Sequence, residues 1–310
     1  MSATAGPSGL RGAAIAAAPV AFVLLWSTGF VGAQYGLPYA QPFTFLALRL
    51  ALAGVLLAGL AAVTRSGRPA SRAQVGRAGV TGLLMHAGYL GGVFFAIASG
   101  LPASVAAVVV SLQPVLTAAL ATRLLGERLV ALQWLGLALG VGGVALVLTP
   151  GLASAAGDAG AFPPVGVAGC LVALLAGTAG TLWQKRHGGD IPLLSGTAVQ
   201  YAAAALALAA VAGATETLAI QWTAEFVAAL VWLVVPLSLG AVLLLLFLLR
   251  RGSASGVSSL LYLVPPATAV ETYLLFGEEL PLLSLVGVAV TTLGVALVLR
   301  PPGRRVRSAG

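Results

Sequence analysis

Charge is scarce in this chain. Only 8% of its 310 residues are Asp, Glu, Lys or Arg, while 59% are hydrophobic. A soluble domain carries roughly 25% charged residues. A water-facing fold of this size would be unable to cover its surface with so few. In a bilayer the requirement vanishes, because the outside of the fold then faces hydrocarbon. A mean hydropathy of +1.04 agrees. Cysteine is nearly absent too. Cys170 stands alone inside an apolar run, which excludes an internal disulfide and a thiolate metal site and leaves a small buried residue.

Several catalytic signatures are also missing. There is no GxxxxGK[ST] run, which speaks against ATP hydrolysis in this chain. There is no HExxH or paired-histidine ligand set, which speaks against an intramembrane metalloprotease; no metal and no other cofactor is expected. The net charge of +8 raises the question of nucleic acid. The basic residues, however, are scattered singly or in pairs between apolar runs rather than gathered on one face, so no nucleic-acid partner is expected.

What the chain does have is long apolar windows. A span of the hydrocarbon core takes about 20 residues. Such windows predict ten transmembrane helices near 14–33, 43–63, 78–98, 103–122, 130–149, 164–184, 194–213, 226–249, 255–276 and 281–299. The fold class is therefore an all-α membrane protein. Gly and Pro punctuate the gaps, at Gly36 to Pro42, Gly100 to Pro102 and Pro150 to Pro164. The loops are short, so no soluble domain is predicted. The first stretch, Ala13 to Val31 behind Arg11, is long for a signal-peptide core of roughly 7–15 residues. Many spans follow it, and it reads as the first helix.

Loop charges set an orientation. With a cytoplasmic N-terminus, alternation puts Arg11, Arg65, Arg68, Arg72, Arg77, Arg123, Arg128, Lys185, Arg186, Arg250, Arg251, Arg300, Arg304, Arg305 and Arg307 inside. Every Lys and Arg except Arg49 then falls on the cytoplasmic side. The outer loops carry Asp158, Glu216, Glu225, Glu278 and Glu279. This is the positive-inside bias, and it predicts an inner-membrane protein with both termini cytoplasmic.

The chain also repeats itself. Residues 103–150 align with 254–301 without gaps at an offset of about 151, and roughly 20 of the 48 positions are identical. Low-complexity Ala, Leu and Val inflate such counts. The co-linear matches Pro114/Pro265, Gly126/Gly277, Glu127/Glu278, Gly136/Gly287, Gly143/Gly294 and Pro150/Pro301 are harder to dismiss. Two units are predicted, 1–151 and 152–310. Five spans per unit is an odd number, so the second unit is inverted relative to the first. Inverted repeats mark alternating-access transporters, with the substrate site near midplane between the halves; some channels share them.

Four segments carry a family resemblance. They are LLWSTGFVGAQYG in span one, PFTFLALRLALAG in span two, SLQPVLTAALATRLLGERLVALQWLG across spans four and five, and VPPATAVETYLLFGEEL in the second half. The chain resembles the drug/metabolite transporter superfamily, most closely its ten-helix EamA-type exporters. The resemblance covers nearly the whole chain. It implies two inverted five-helix bundles around a central cavity, and export of small metabolites, amino acids or drugs. It names no substrate.

Within the spans a few polar groups stand out. Arg49 lies about seven residues into span two, roughly 10 Å deep at 1.5 Å per residue. A charge there costs at least about 2.5 kcal/mol and faces a cavity or a partner. The family pattern has an arginine at this place too. Glu271 sits at matching depth in span nine; its repeat mate is Leu120. The two are expected to pair, or both to face the substrate path. The blander readings are a packing arginine bonded to carbonyls and a structural ion pair or outward-snorkelling acid. His86 lies near the middle of span three, with Tyr89 one turn on along a similar face. Hydrogen bonding to a neighbouring carbonyl is the alternative use of this histidine.

Trp26, Ser27 and Thr28 lie deep in span one, Gln113 precedes Pro114, and Tyr262 precedes Pro265 and Pro266. Proline frees a carbonyl one turn earlier, and broken helices line transporter cavities. The set fits a mostly apolar pocket with a few polar anchors; core packing is the alternative for each aromatic. Glu127 and Glu278 follow Gly at helix ends and read as turn or helix-packing residues. Gly136, Gly140, Gly143, Gly287 and Gly294 make spans five and ten packing helices, at the back of the bundle or at a homodimer face.

The functional expectation is a secondary transporter exporting a small, mostly apolar or zwitterionic metabolite such as an amino acid. With one intramembrane arginine and no midplane lysine, phosphorylated substrates are disfavoured. The partners are a small-molecule substrate and the lipid bilayer. Two rivals stand beside it: a proton-coupled multidrug exporter of lipophilic cations working through Glu271, and a membrane enzyme or scaffold that transports nothing.

Overall fold

A computed structural model describes residues 7–124, 129–154, 161–241 and 260–299, with 244 and 248; for 7–16 and 124 it describes the backbone alone. Among the described residues the chain is helical throughout apart from loops and one isolated bridge, Ala40 to Ile220. The helices are α1 (Pro7–Gly36), α2 (Pro42–Val63), α3 (Arg72–Ala98), α4 (Ala103–Arg123), α5 (Ala131–Ala153), α6 (Pro164–His187), α7 (Leu193–Thr215), α8 (Ala224–Ala241), α9 (Leu261–Phe276) and α10 (Leu282–Val298). Eight stretches, Ala17–Gly36 within α1 and the helices α2 to α8, are long and apolar enough to cross a membrane; α9 and α10 are apolar but shorter. The structure is thus that of a multi-pass membrane protein. Glu127, Arg128, Asp158, Arg250, Arg251 and the arginines from Arg300 onward lie outside the described residues.

Why helices: a backbone N–H or C=O finds no partner in hydrocarbon, and the helix satisfies each group within its own segment. The starts follow from local chemistry. Pro42 and Pro164 open α2 and α6, where a missing N–H costs nothing. Ser71 and Thr223 cap α3 and α8 through their hydroxyls, accepting from the N–H of Gln74 and Phe226. The α9 terminus closes on Gly277 at φ +66°, a left-handed turn that a side chain would strain.

The helices pack in pairs: α5 against α10, α2 against α7, α3 against α6 and α7, α1 against α8 and α9, and α4 against α6 and α9. The α5–α10 crossing is the most intimate. A Cβ on Gly136 would come within 2.6 Å of the Gly294 carbonyl oxygen, and one on Gly143 within 2.8 Å of that of Gly287. Gly136 thus meets Gly294, and Gly143 meets Gly287, so the aligned positions of the two helices contact each other crosswise. Without side chains the backbones close to van der Waals distance, which is where helices in lipid gain their packing energy. Polar ties fix both ends of this pair. Ser284 donates to the Val147 carbonyl at 3.1 Å, and Gln133 donates to that of Val298 at 2.8 Å.

Two helices carry wide π turns, Leu83–Gly88 in α3 and Leu233–Ala241 in α8. They fall at equivalent positions under the 151-residue offset. In α8 Pro236 interrupts the ladder, and Ser238 donates back to the Leu233 carbonyl at 2.8 Å. Such turns collect at functional sites in helices.

Replacing Gly143 by Leu is expected to lower the melting temperature of purified protein sharply, since overpacking a tight contact costs about 1–3 kcal/mol. At Gly142, one residue away, a Cβ would meet nothing within 4 Å. Its change to Ala should leave the melting curve in place.

Candidate functional site

Arg49 lies on α2 and is only 4% exposed. Its guanidinium carbon stands 5.8 Å from the centroid of the Phe94 ring on α3. Nε and Nη1 are buried and have no hydrogen-bond partner among the described residues. A desolvated cation with unpaired N–H groups is costly, and an aromatic face returns only about 0.5–2 kcal/mol.

A polar cluster joins α3 to α7. His86, within the π turn, places Nε2 3.3 Å from the side-chain oxygen of Gln200. Its ring meets that of Tyr201 edge-on, with centroids 4.6 Å apart. The histidine therefore bonds a side-chain amide rather than a backbone carbonyl. Gln200 itself occupies, at the 151-residue offset, the position that Arg49 holds in the first half.

Glu271 lies on α9. Its Oε1 accepts from the Ser27 hydroxyl of α1 at 2.7 Å. Its Oε2 is buried and has no partner among the described residues. Next to Ser27, Thr28 accepts from the indole N–H of Trp232 on α8 at 2.9 Å. Trp26 packs on Phe22, with ring centroids 5.3 Å apart, against the edge of the core.

A third cluster joins α3, α4 and α6. Gln113 donates to the Thr181 hydroxyl at 2.7 Å and to the Gly177 carbonyl at 3.1 Å. Tyr89 closes on the same glycine: a Cβ on Gly177 would lie 2.7 Å from the Tyr89 ring and 3.1 Å from Gln113. Just before Pro114 the α-helical ladder of α4 loosens into a turn at Ser111 and Leu112. This is the carbonyl release that proline imposes. Pro265 and Pro266 stand in the first α turn of α9, after a 3₁₀ turn over Leu261–Leu263. Tyr262, in that turn, is buried with its hydroxyl unpartnered among the described residues.

Two expectations from the sequence are corrected. Arg49 and Glu271 form no ion pair: Glu271 is taken by Ser27, and Arg49 by the Phe94 ring. An ion pair does form at the helix ends, where Arg77 meets exposed Asp190 at 3.6 Å. Nor do His86 and Tyr89 share a face. His86 meets α7 and Tyr89 meets α6. The π turn between them widens the helix and shifts the phase that a regular i, i+3 pair would keep. Gln200, Thr181 and Tyr201 are additions that the sequence reading missed. Their signal was present, as uncharged polar side chains inside apolar spans.

The loop acids act on helix ends. Glu216, after α7, accepts from the backbone N–H groups of Phe43 and Thr44 at 2.8 and 2.7 Å and from the Thr44 hydroxyl at 2.6 Å. Glu278, after α9, accepts from the Ser104 hydroxyl and, at 3.3 Å, from its N–H. A carboxylate at a helix N-terminus also meets the positive end of the dipole. This gives the helix-end role expected of Glu278 a concrete form. At the opposite helix ends, Gln74 donates to Asp190 at 3.0 Å, which with Arg77 holds that carboxyl below its usual range.

Buried, partly unpaired charges and polar clusters at the seams of an apolar helix bundle are expensive and mark a functional path by default. The chain belongs to the EamA-like transporter family, which it matches over residues 13–149 and 165–300. It is a transporter, not an enzyme. It is 28% identical to an uncharacterised transporter, YvbV of Bacillus subtilis (strain 168), over 89% of this chain and 88% of that one. It is 27% identical to a chloroplastic WAT1-related protein of Arabidopsis thaliana, over 90% of this chain and 67% of that one. It is 24% identical to YedA, an uncharacterised inner membrane transporter of Escherichia coli (strain K12), over 90% and 88%. One crystal structure of a protein 20% identical superposes with a TM-score of 0.63, over 91% of this chain and 95% of that one; it shows the shared fold.

Changing Arg49 to Met is expected to leave the melting temperature unchanged or raised, because it removes a buried and underpaired charge. Changing fully buried Phe45 to Ala should lower stability by about 3–5 kcal/mol. The contrast separates a residue kept for a ligand from one kept for the fold.

Proposed function

We propose that this protein exports small zwitterionic or largely apolar metabolites across the inner membrane by alternating access, with both termini cytoplasmic. The observation that carries the reading is the pair of unmatched charges. Arg49 and Glu271 each keep a buried polar atom without a partner among the described residues, and they do not neutralise each other. A carboxylate would complete Arg49 by a paired hydrogen bond, and an amine would complete Glu271. An amino acid brings both groups. His86, Tyr89, Gln113, Tyr262 and Trp26 then supply polar anchors and aromatic walls, and the breaks at Pro114, Pro265 and Pro266 supply bends.

The architecture proposed is ten spans in two inverted units, 1–151 and 152–310, around this site. The packing supports it. Under the offset α1 answers to α6, α2 to α7, α3 to α8, α4 to α9 and α5 to α10. The α3–α6 contact then has its counterpart in α8–α1, and the α4–α6 contact in α9–α1. The crosswise glycines and the matched π turns fit the same relation. The family match itself falls in two stretches, one per unit. Inversion exchanges the roles of the halves, which lets one site face either side in turn. Spans five and ten bury their glycines against each other here, so a homodimer would have to use other faces.

A second reading, a proton-coupled exporter of lipophilic cations, uses Glu271 as proton and cation site. Its Oε2, without a partner among the described residues, supports that use. Cells with and without the protein should be compared for retained metabolites, and the hits tested as efflux from proteoliposomes. The expected outcome is an amino acid or similar zwitterion whose efflux falls at least about tenfold in Arg49→Met and in Glu271→Gln, the loss of roughly one charge-assisted bond. Efflux of lipophilic cations that loses its pH dependence in Glu271→Gln alone, with Arg49→Met intact, would favour the second reading.

A further inference from the structure

The site above uses one face of α9. Buried Thr268 and Thr272 lie toward that side, while Leu263, Val270 and Tyr273 are half or more exposed on another. Exposed side chains on a membrane helix face lipid. Here α9 and α10 line a groove of about 1090 Å³. It runs along α9 from Tyr262, about 21 Å to the helix end at Phe276 at 1.5 Å per residue, and on to Glu278. The walls are mostly Leu, Val, Ala and Pro. The C-terminal end of α9 adds Tyr273, Glu278 and Glu279, and no basic residue lines the groove among the described residues.

Two polar atoms on this groove have no partner among the described residues. One is the hydroxyl of Tyr262, a residue 8% exposed. The other is Oε2 of Glu278, whose Oε1 is held by Ser104. Along the apolar walls, hydrocarbon is the solvent that enters from the side, while the Glu278–Glu279 end lies at the membrane surface. A neutral chain would satisfy the walls and leave the acids bare. An anionic headgroup would be repelled by the two carboxylates.

We propose that the α9–α10 groove binds a membrane lipid with an ammonium headgroup. Its acyl chain lies along the apolar walls, and its ammonium sits between Glu278 and Glu279 against the Tyr273 ring. Carboxylates and an aromatic face together make an ammonium site at the membrane surface. The bound lipid would brace α9, the helix that carries Glu271, from its outer side. The inference rests on the membrane fold and not on any substrate.

The full chain in nanodiscs of equal phosphatidylethanolamine and phosphatidylglycerol, released into native mass spectrometry, tests it. The ethanolamine lipid is expected to be retained in excess. Glu279→Gln should lower that excess about fivefold, the size of one surface charge. Because Glu278 also caps α4, it is left unchanged. Val270→Trp, which fills the groove and leaves both acids in place, should remove the retained lipid altogether. Equal retention of the two lipids overturns the proposal, as does retention unchanged by Val270→Trp. A dimer that carries no lipid assigns the groove to a second copy and overturns it equally.

Discussion

Hydrocarbon offers no hydrogen bonds, and the whole structure follows from that deficit. It forces the backbone into helices. It makes the four free N–H groups at each helix start a problem that must be solved locally. Two of those starts are solved from far away in the chain: Glu216 reaches α2 and Glu278 reaches α4. These acids therefore act on structure as well as on charge. They tie helices of one half of the chain to helices of the other, at the ends where water and lipid meet. Between the ends of α5 and α10, contact is made by glycine. The α5–α10 crossing holds because four glycines let the backbones touch.

The same deficit makes any polar atom left unpaired in the interior informative. Much of the interior is resolved at once by local bonding: Thr178, Thr268 and Ser238 each return a hydroxyl to a carbonyl four or five residues back. Arg49, Glu271 and Tyr262 are not resolved in that way. The position aligned with Glu271 holds Leu120 in the first half, so the repeat itself does not call for a charge there.

How much of this was legible in the sequence depends on the range of the interaction. Among the described residues, the helices and their order were readable, because hydropathy and punctuation are local; the predicted boundary between spans eight and nine lies outside them. The glycine seam was readable as a packing surface; that α5 and α10 face each other is a tertiary fact. Arg49 and Glu271 stood out as lone charges in apolar runs, and equal depth suggested a pair. Depth fixes only one coordinate of three. Rotation about each helix axis sends Glu271 to Ser27 and Arg49 to Phe94. His86 and Tyr89 failed as a shared face for a related reason: periodicity assumes a regular helix, and Leu83–Gly88 is not one. Gln200 and Thr181 stood in apolar spans without a proline or a charge beside them to single them out, although inside lipid an unpaired polar group costs several kcal/mol.

The missing ion pair bears directly on the proposed transport cycle. Had Arg49 and Glu271 met, their mutual attraction in a low dielectric would have had to be broken by every incoming solute. A carrier with such a lock binds weakly or turns over slowly. Left apart, each charge instead carries its own desolvation cost, at least about 2.5 kcal/mol for the arginine alone. A solute that supplies the opposite charge relieves that cost on arrival and restores it on leaving. In the proposed cycle, the strain of the protein without solute is what favours binding a solute of opposite charge. Ser27 and Phe94 limit the strain by giving each charge a partial partner, one hydroxyl and one ring face.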